Sequence, residues 1–273
     1  VCSLALALLL AAPGCAFSPM ARGRSAMQMG EYEEAARHFR EVAEANPGEP
    51  APWMALGRAE MAAERFADAR SAFEHVASIR PHAATPRIMV GHTYELQRDY
   101  DGALEAYLSA TEAAPESAHA HRVVGTRLLR WGRAEDAIPW LEQATQLAPD
   151  HEETWNALAM ARYHAGDLEG AEREFRAGIE RSPDTLGFRL GLAALLINQE
   201  RWADAIAVYD ALLALQADYA PAWVGRGILL HELGRQDEAL ASFERAVAEG
   251  EGRPSYAQRL AEYRALIASP PAE

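Results

Sequence analysis

The chain contains no lysine: all 26 basic side chains among its 273 residues are arginine. A phosphate-binding loop built from a glycine run and a lysine is therefore excluded. Cysteine is nearly as scarce. Cys2 and Cys15 are the only two, both ahead of the first charged side chain, Arg22, so nothing downstream of them can be held by a disulfide. Basic charge is in deficit, 26 side chains against 40 acidic ones for a net charge of −14, which argues against the basic face that nucleic-acid binding requires. The apolar stretch at residues 4–12 is too short to cross ~30 Å of hydrocarbon as a helix. With 49% hydrophobic and 24% charged residues, the chain has ample material for a buried core, in one large domain or two small ones.

Residues 4–12 read LALALLLAA, which suits the hydrophobic region of an export signal. The following Ala12, Pro13, Gly14 and Cys15 resemble the bacterial lipoprotein signal, in which a cysteine after small residues is acylated and becomes the new N-terminus. That resemblance implies an exported protein, periplasmic or lipid-anchored through Cys15, with residues 1–15 as its signal. Ala12 stands where leucine is usual, and Pro13 is unusual there. Secretory cleavage after Ala16 and an uncleaved apolar N-terminal helix are the alternatives the residues leave open.

The rest of the chain repeats itself every 34 residues. Stepping by that interval from Gly23 meets Gly57, Gly91, Gly125, Ala159, Ala193 and Gly227, always a small residue. From Ala35 it meets Ala69, Ala103, Ala137, Ala171, Ala205 and Ala239. From Phe39 it meets Phe73, Tyr107, Leu141, Phe175, Tyr209 and Phe243, always large and apolar, and Pro47 leads to Pro81, Pro115, Pro149 and Pro183. A fixed period of this length signals a repeat architecture. Within one period, Trp53, Leu56, Gly57 and Glu60 fall on a first amphipathic helix and Phe66, Ala69, Phe73 and Val76 on a second. The turn between them often holds glycine (Gly30, Gly132, Gly166, Gly234), which accepts a positive φ at a helix end. The small residue at the Gly57 register lets the two helices approach closely.

These combs of Trp, Leu, Gly, Tyr, Ala, Phe, Ala and Pro resemble the tetratricopeptide repeat family. The resemblance implies an all-α, right-handed superhelical solenoid of seven helix-turn-helix units, 16–49, 50–83, 84–117, 118–151, 152–185, 186–219 and 220–253. A capping helix at 254–268 and a tail at 269–273 follow. Local departures are Ala159 and Ala193 in place of glycine, the lost proline of the last two units, and Pro139 inside a second helix, where a kink is expected.

In this family the first helices of successive units line a concave groove. The corresponding stripe here holds Met54, Arg58, Met61, His92, His119, Arg122, Arg130, Asn156, Met160, Tyr163, His164 and Asn198, which the resemblance makes the candidate partner-binding residues. Five of the seven methionines lie on the whole stripe, with four Arg against three Glu, in a strongly acidic chain. Methionine surfaces adapt to varied apolar partners and arginine suits carboxylates. A protein or peptide partner bearing an acidic group is expected, although methionine as filler between first helices is the plainer reading. Trp53, Trp155 and Trp223 fall at the family's packing position. The lysine-dependent chaperone clamp of some members is unsupported, since Met20, Arg24, Ala55, Ile88 and His92 stand at its positions.

No chemistry is required by the sequence. His231 and Glu232 open like a zinc-protease helix, but Arg235 stands where the second histidine would be. His119 and His121 are two apart and point to different faces of a helix. Acidic pairs such as Glu33–Glu34 and Glu152–Glu153 complement helix starts. The expectation is a non-catalytic protein-interaction scaffold of the cell envelope, without cofactor or metal, meeting a membrane only through its N-terminal signal or lipid. The alternatives are a substrate-recruiting module of an enzyme such as a glycosyltransferase and a cytosolic regulator.

Overall fold

The computed structural model describes residues 18–268, and every regular element among them is an α-helix. There are fifteen: α1 (Pro19–Met29), α2 (Tyr32–Ala45), α3 (Pro50–Ala62), α4 (Phe66–Ile79), α5 (Ala84–Leu96), α6 (Tyr100–Ala113), α7 (Ala118–Arg130), α8 (Ala134–Leu147), α9 (Glu152–His164), α10 (Leu168–Arg181), α11 (Leu186–Asn198), α12 (Trp202–Leu215), α13 (Ala220–Glu232), α14 (Gln236–Glu249) and α15 (Pro254–Ala268). Two compact units divide within α7, one ending at Val124 and the other beginning at Gly125. In each unit consecutive helices pack on one another, α1 through α6 in the first and α8 through α15 in the second.

The turns explain the alternation. Gly30, Gly132, Gly166 and Gly234 take φ values of 78°, 78°, 84° and 72°, and the same register holds Glu64, Arg98 and Glu200 at 59°, 61° and 58°. The left-handed residue ends each odd helix within a turn of the next one's start, and L side chains there are strained by ~1 kcal/mol or more. Pro19 sits at the first helical position of α1 with Ser18 as N-cap, a place where proline's missing N–H costs nothing. Pro139 lies within α8 without ending it.

Close approach at the glycine register is literal. A Cβ on Gly57 would come within 2.5 Å of Phe73 Cε1, and one on Gly23 within 2.5 Å of Phe39 Cε1. Gly91 meets Tyr107 in the same way, and in the second unit Gly125 meets Leu141 and Gly227 meets Phe243. Ala159 and Ala193 are tolerated because their large partners lean forward instead: Phe175 lies over Gly191 of α11 and Tyr209 over Gly225 of α13. The ring still faces a glycine, one helix further on.

One register carries charge into the packing. Glu60 of α3 is fully buried and takes Arg40 of α2 and Arg65 of the following turn at 2.5 Å each. Three periods later the signs reverse, with Arg162 held by Glu142 at 2.7 Å and Asp167 at 3.0 Å. Arg264 and Glu244 at 2.7 Å repeat the Arg162–Glu142 link at the C-terminal end. Elsewhere the position of Glu60 is apolar, as in the buried Leu128, Leu196 and Leu230. α15 packs on α14 with Leu260 and Tyr263 buried, the Tyr263 ring 4.7 Å from that of Phe243.

The tryptophan register is structural. Trp155 and Trp223 donate from Nε1 to the carbonyls of Pro149 and Ala217, each at 2.8 Å and each six residues back. Arg189 substitutes a guanidinium donor toward Pro183 O. Beside Trp53 the equivalent acceptor, Pro47 O, is bonded at 2.9 Å by His75 Nε2, whose ring lies 4.1 Å from the indole.

Candidate functional site

The expected partner-binding side chains fall into two local groups, one in each unit. In the first, Met54 and Arg58 of α3 line an open cleft of about 500 Å³, closed by Val76 of α4, by Arg80 and Ala83 of the connection, and by Thr85 and Pro86 of α5. The Arg58 side chain is exposed, while Met54 and Met61 are half-buried against the cluster around Phe73 and Val90. On α5, the His92 ring stands edge-on to Tyr107 at 5.7 Å, and the Tyr107 hydroxyl donates to Glu95 at 2.9 Å. On α7, Arg122 Nη2 lies 2.9 Å from His119 Nδ1.

In the second unit, Asn156 packs its amide over Gly187, where an added Cβ would lie 3.4 Å from Nδ2. Its Oδ1 is buried without a hydrogen-bond partner, an unmet demand within an otherwise half-buried side chain. Asn198 Nδ2 donates to the Tyr163 hydroxyl at 3.2 Å across α9 and α11, and His164 stands edge-on to Tyr163 at 5.1 Å. Met160 packs on the core while Arg130, His164 and Asn198 are exposed. Met20, Met27, Met54, Met61 and Met160 thus all have one side on a core cluster and one side at the surface. They serve as filler and as surface together. Cys15 lies outside the described residues.

Around α10 the charged side chains are paired with one another. Glu172 is gripped by Arg201 and Arg176, and the Arg201 hydrogen bond above all lowers its pKa. Asp167 is lowered by the Gly170 amide and then by Arg162. These carboxylates are spent on internal pairing. A larger cavity of about 830 Å³ lies against α4, α5 and α6, off the candidate stripe, with Glu74 and Glu105 among its walls.

Residues singled out for metal chemistry have other contacts. His231 Nδ1 lies 3.5 Å from the Tyr263 hydroxyl and helps seat α15, and His121 Nδ1 lies 3.1 Å from Ser117 O. Among the described residues no three His, Cys, Asp or Glu side chains gather where they could hold a metal ion. No described helix is long and apolar enough to cross a membrane. Arg80 was missed by the stripe because it sits in the connection after α4, which no single-helix periodicity reaches.

Sequence profiles described as tetratricopeptide repeat match residues 20–84, 91–152 and 190–254, and another of the same description matches 128–187. No curated protein matches the chain. Among solved structures, the C-terminal part of a TPR repeat-containing protein from Cytophaga hutchinsonii is similar with a TM-score of 0.68 at 14% identity, over 86% of this chain and 97% of that one. Pseudomonas aeruginosa PilF is similar at 0.57 and 18%, over 78% and 97%. YrrB, described as a TPR protein with an unusual peptide-binding site, is similar at 0.54 and 21%, over 68% and 96%. At these identities the likeness establishes the fold.

Proposed function

This chain belongs to the tetratricopeptide repeat family, and on that premise we propose that it is a non-catalytic scaffold that binds a protein or peptide partner along the face of its odd-numbered helices. Proteins of this family commonly serve as interaction scaffolds, and peptide binding by the structurally similar YrrB is consistent with the same use of the fold. The observation that carries the reading is the contrast between arginines held by the chain's own carboxylates and an exposed arginine left available on α3. Arg176 of α10, Arg201 of the turn before α12 and Arg162 of α9 are tied to carboxylates of the chain itself. On α3, Arg58 stands exposed beside Met54 in an open cleft. A surface of adaptable methionine, tyrosine and amide groups with an available cation suits a partner carrying an acidic group.

Location is part of the proposal. The apolar run at residues 4–12 and the cysteine at 15 support export to the cell envelope and a lipid anchor, where the scaffold would hold envelope components together during assembly. Two experiments test the reading. Crosslinking recovery of partners should fail for an Arg58→Glu, Arg122→Glu, Arg130→Glu variant that remains helical; equal recovery by wild type and variant would remove the odd-helix face from the mechanism. Incorporation of labelled fatty acid should vanish in Cys15→Ala, and an intact, unlabelled N-terminus in the cytosol would refute both export and anchoring.

A further inference from the structure

The cleft between α3 and α5 is lined by two arginines and no acidic residue. In a chain with 40 acidic and 26 basic side chains, cations are outnumbered, and many arginines are held by the chain's own carboxylates. Arg40 and Arg65 hold Glu60, Arg133 holds Asp136, and Arg235 holds Glu238. Arg58 and Arg80 have no ion-pair or hydrogen-bond partner for their guanidinium groups among the described residues, and both are exposed. No carboxylate lines their cleft. By contrast, the cavity beside Arg201 also contains Asp204, and that beside Arg37 contains Glu34.

The pairing is peculiar to one repeat. One period on, the registers of Arg58 and Arg80 hold His92 and Ala114; three periods on, they hold Met160 and Ser182. In that later repeat Ser182 is already bonded to Glu152 at 2.6 Å, and Asn156 leans over Gly187 where Met54 and Thr85 stand here. Two unpaired guanidinium groups at an apolar floor are suited to receiving a carboxylate. Guanidinium is weakly hydrated and presents paired donors matched to a carboxylate, and the bond strengthens where apolar side chains exclude water. Val76, Pro86 and Met54 supply that floor, and Thr85 adds a hydroxyl. The cleft is open, so a chain can pass along it rather than having to end in it.

We propose that this cleft accepts an aspartate or glutamate side chain from within a partner protein segment, held by Arg58 and Arg80, with a neighbouring small apolar residue on the Val76–Pro86 floor. The proposal rests on the peptide-binding reading above and narrows it to one subsite and one ligand chemistry.

The test is selection of displayed peptides, capped at both ends, on the full chain, followed by fluorescence anisotropy with the enriched peptide made synthetically. Enriched peptides should carry Asp or Glu beside Ala, Val or Pro. Arg58→Gln and Arg80→Gln should each weaken binding about tenfold and together about a hundredfold, and an Asn or Gln peptide should bind wild type as poorly as the acidic peptide binds the double variant. Both substitutions are at exposed positions, and circular dichroism confirms that the variants stay folded. Affinity for the acidic peptide should also fall steeply with salt.

Neutral or basic enriched peptides, or equal affinity of wild type and double variant, overturn the proposal. So does tighter binding of a phosphoserine peptide, or full binding by a peptide whose only carboxylate is a free C-terminus. If the enriched peptide ignores both arginines but is lost with Asn156→Ala and Tyr163→Phe, the cleft assignment fails and peptide binding by the odd helices stands. If no peptide binds, both fail.

Discussion

Replacing Glu60 tests whether the buried triad stabilises the first unit or merely tolerates a polar residue there. Its carboxylate is fully buried, whereas Arg40 and Arg65 are 44% and 41% exposed. Removing the two arginines with Arg40→Ala, Arg65→Ala strands a charge with no route to solvent, at a cost of ~3–5 kcal/mol. Removing the carboxylate with Glu60→Gln is milder, ~1–2 kcal/mol, because both guanidinium groups can turn outward to water and the amide still accepts one bond. Glu60→Leu installs the residue found at this register in Leu128, Leu196 and Leu230, so the site can accommodate it and stability should be unchanged or raised. Urea unfolding followed by circular dichroism, with hydrogen exchange resolved to α2 and α3, reads the order Leu at or above wild type, then Gln, then the double alanine variant. A Leu variant as unstable as the double alanine variant would refute the reasoning, since the ion triad would then be a net source of stability.

Gly57→Ala should destabilise by ~1–2 kcal/mol in urea unfolding, because overpacking against Phe73 outweighs the better helix propensity of alanine; Gly187→Ala, with only an ordinary 3.4 Å contact to Asn156, should be near neutral by the same assay. Glu64→Gly, Arg98→Gly and Glu200→Gly each place glycine where φ is positive, and each should stabilise by ~0.5–1 kcal/mol in chemical denaturation. Glu172 has a folded pKa below its ordinary value of 4.5, through Arg201 first, so its stabilisation is complete above that value and is lost as pH falls through the folded pKa. The acid-side slope of stability should be shallower in Glu172→Gln than in wild type, and an unchanged slope would contradict this.

The helical pairs were legible because one contact, glycine against a large apolar side chain sixteen residues on, recurs in most of the 34-residue periods, as in Gly57 with Phe73. Where the identity lapses the contact moves. Ala159 and Ala193 read as departures, yet Phe175 and Tyr209 find Gly191 and Gly225 on the next odd helix, which a comb for one spacing does not visit. The charged register was hidden for a different reason. Arg40, Glu60 and Arg65 share their positions with Glu142, Arg162 and Asp167, and reversal of sign defeats any search for like residues. Of the candidate site, helix periodicity reached Met54 and Arg58 but not Arg80, which enters the cleft from a connection. It also reached Tyr163 and Asn198 separately, while their hydrogen bond depends on the packing of α9 against α11.

Site-specific photocrosslinking in intact cells compares the two helix faces directly, with a photoreactive residue placed at Met54 or Met160 on odd helices, or at exposed Glu41 or Arg173 on even ones. If the odd helices carry the partner, one protein is trapped from Met54 or Met160, is absent from Glu41 and Arg173, and disappears when Arg58, Arg122 and Arg130 become glutamate. Trapping from Glu41 or Arg173 alone, unaffected by those substitutions, would contradict the central claim.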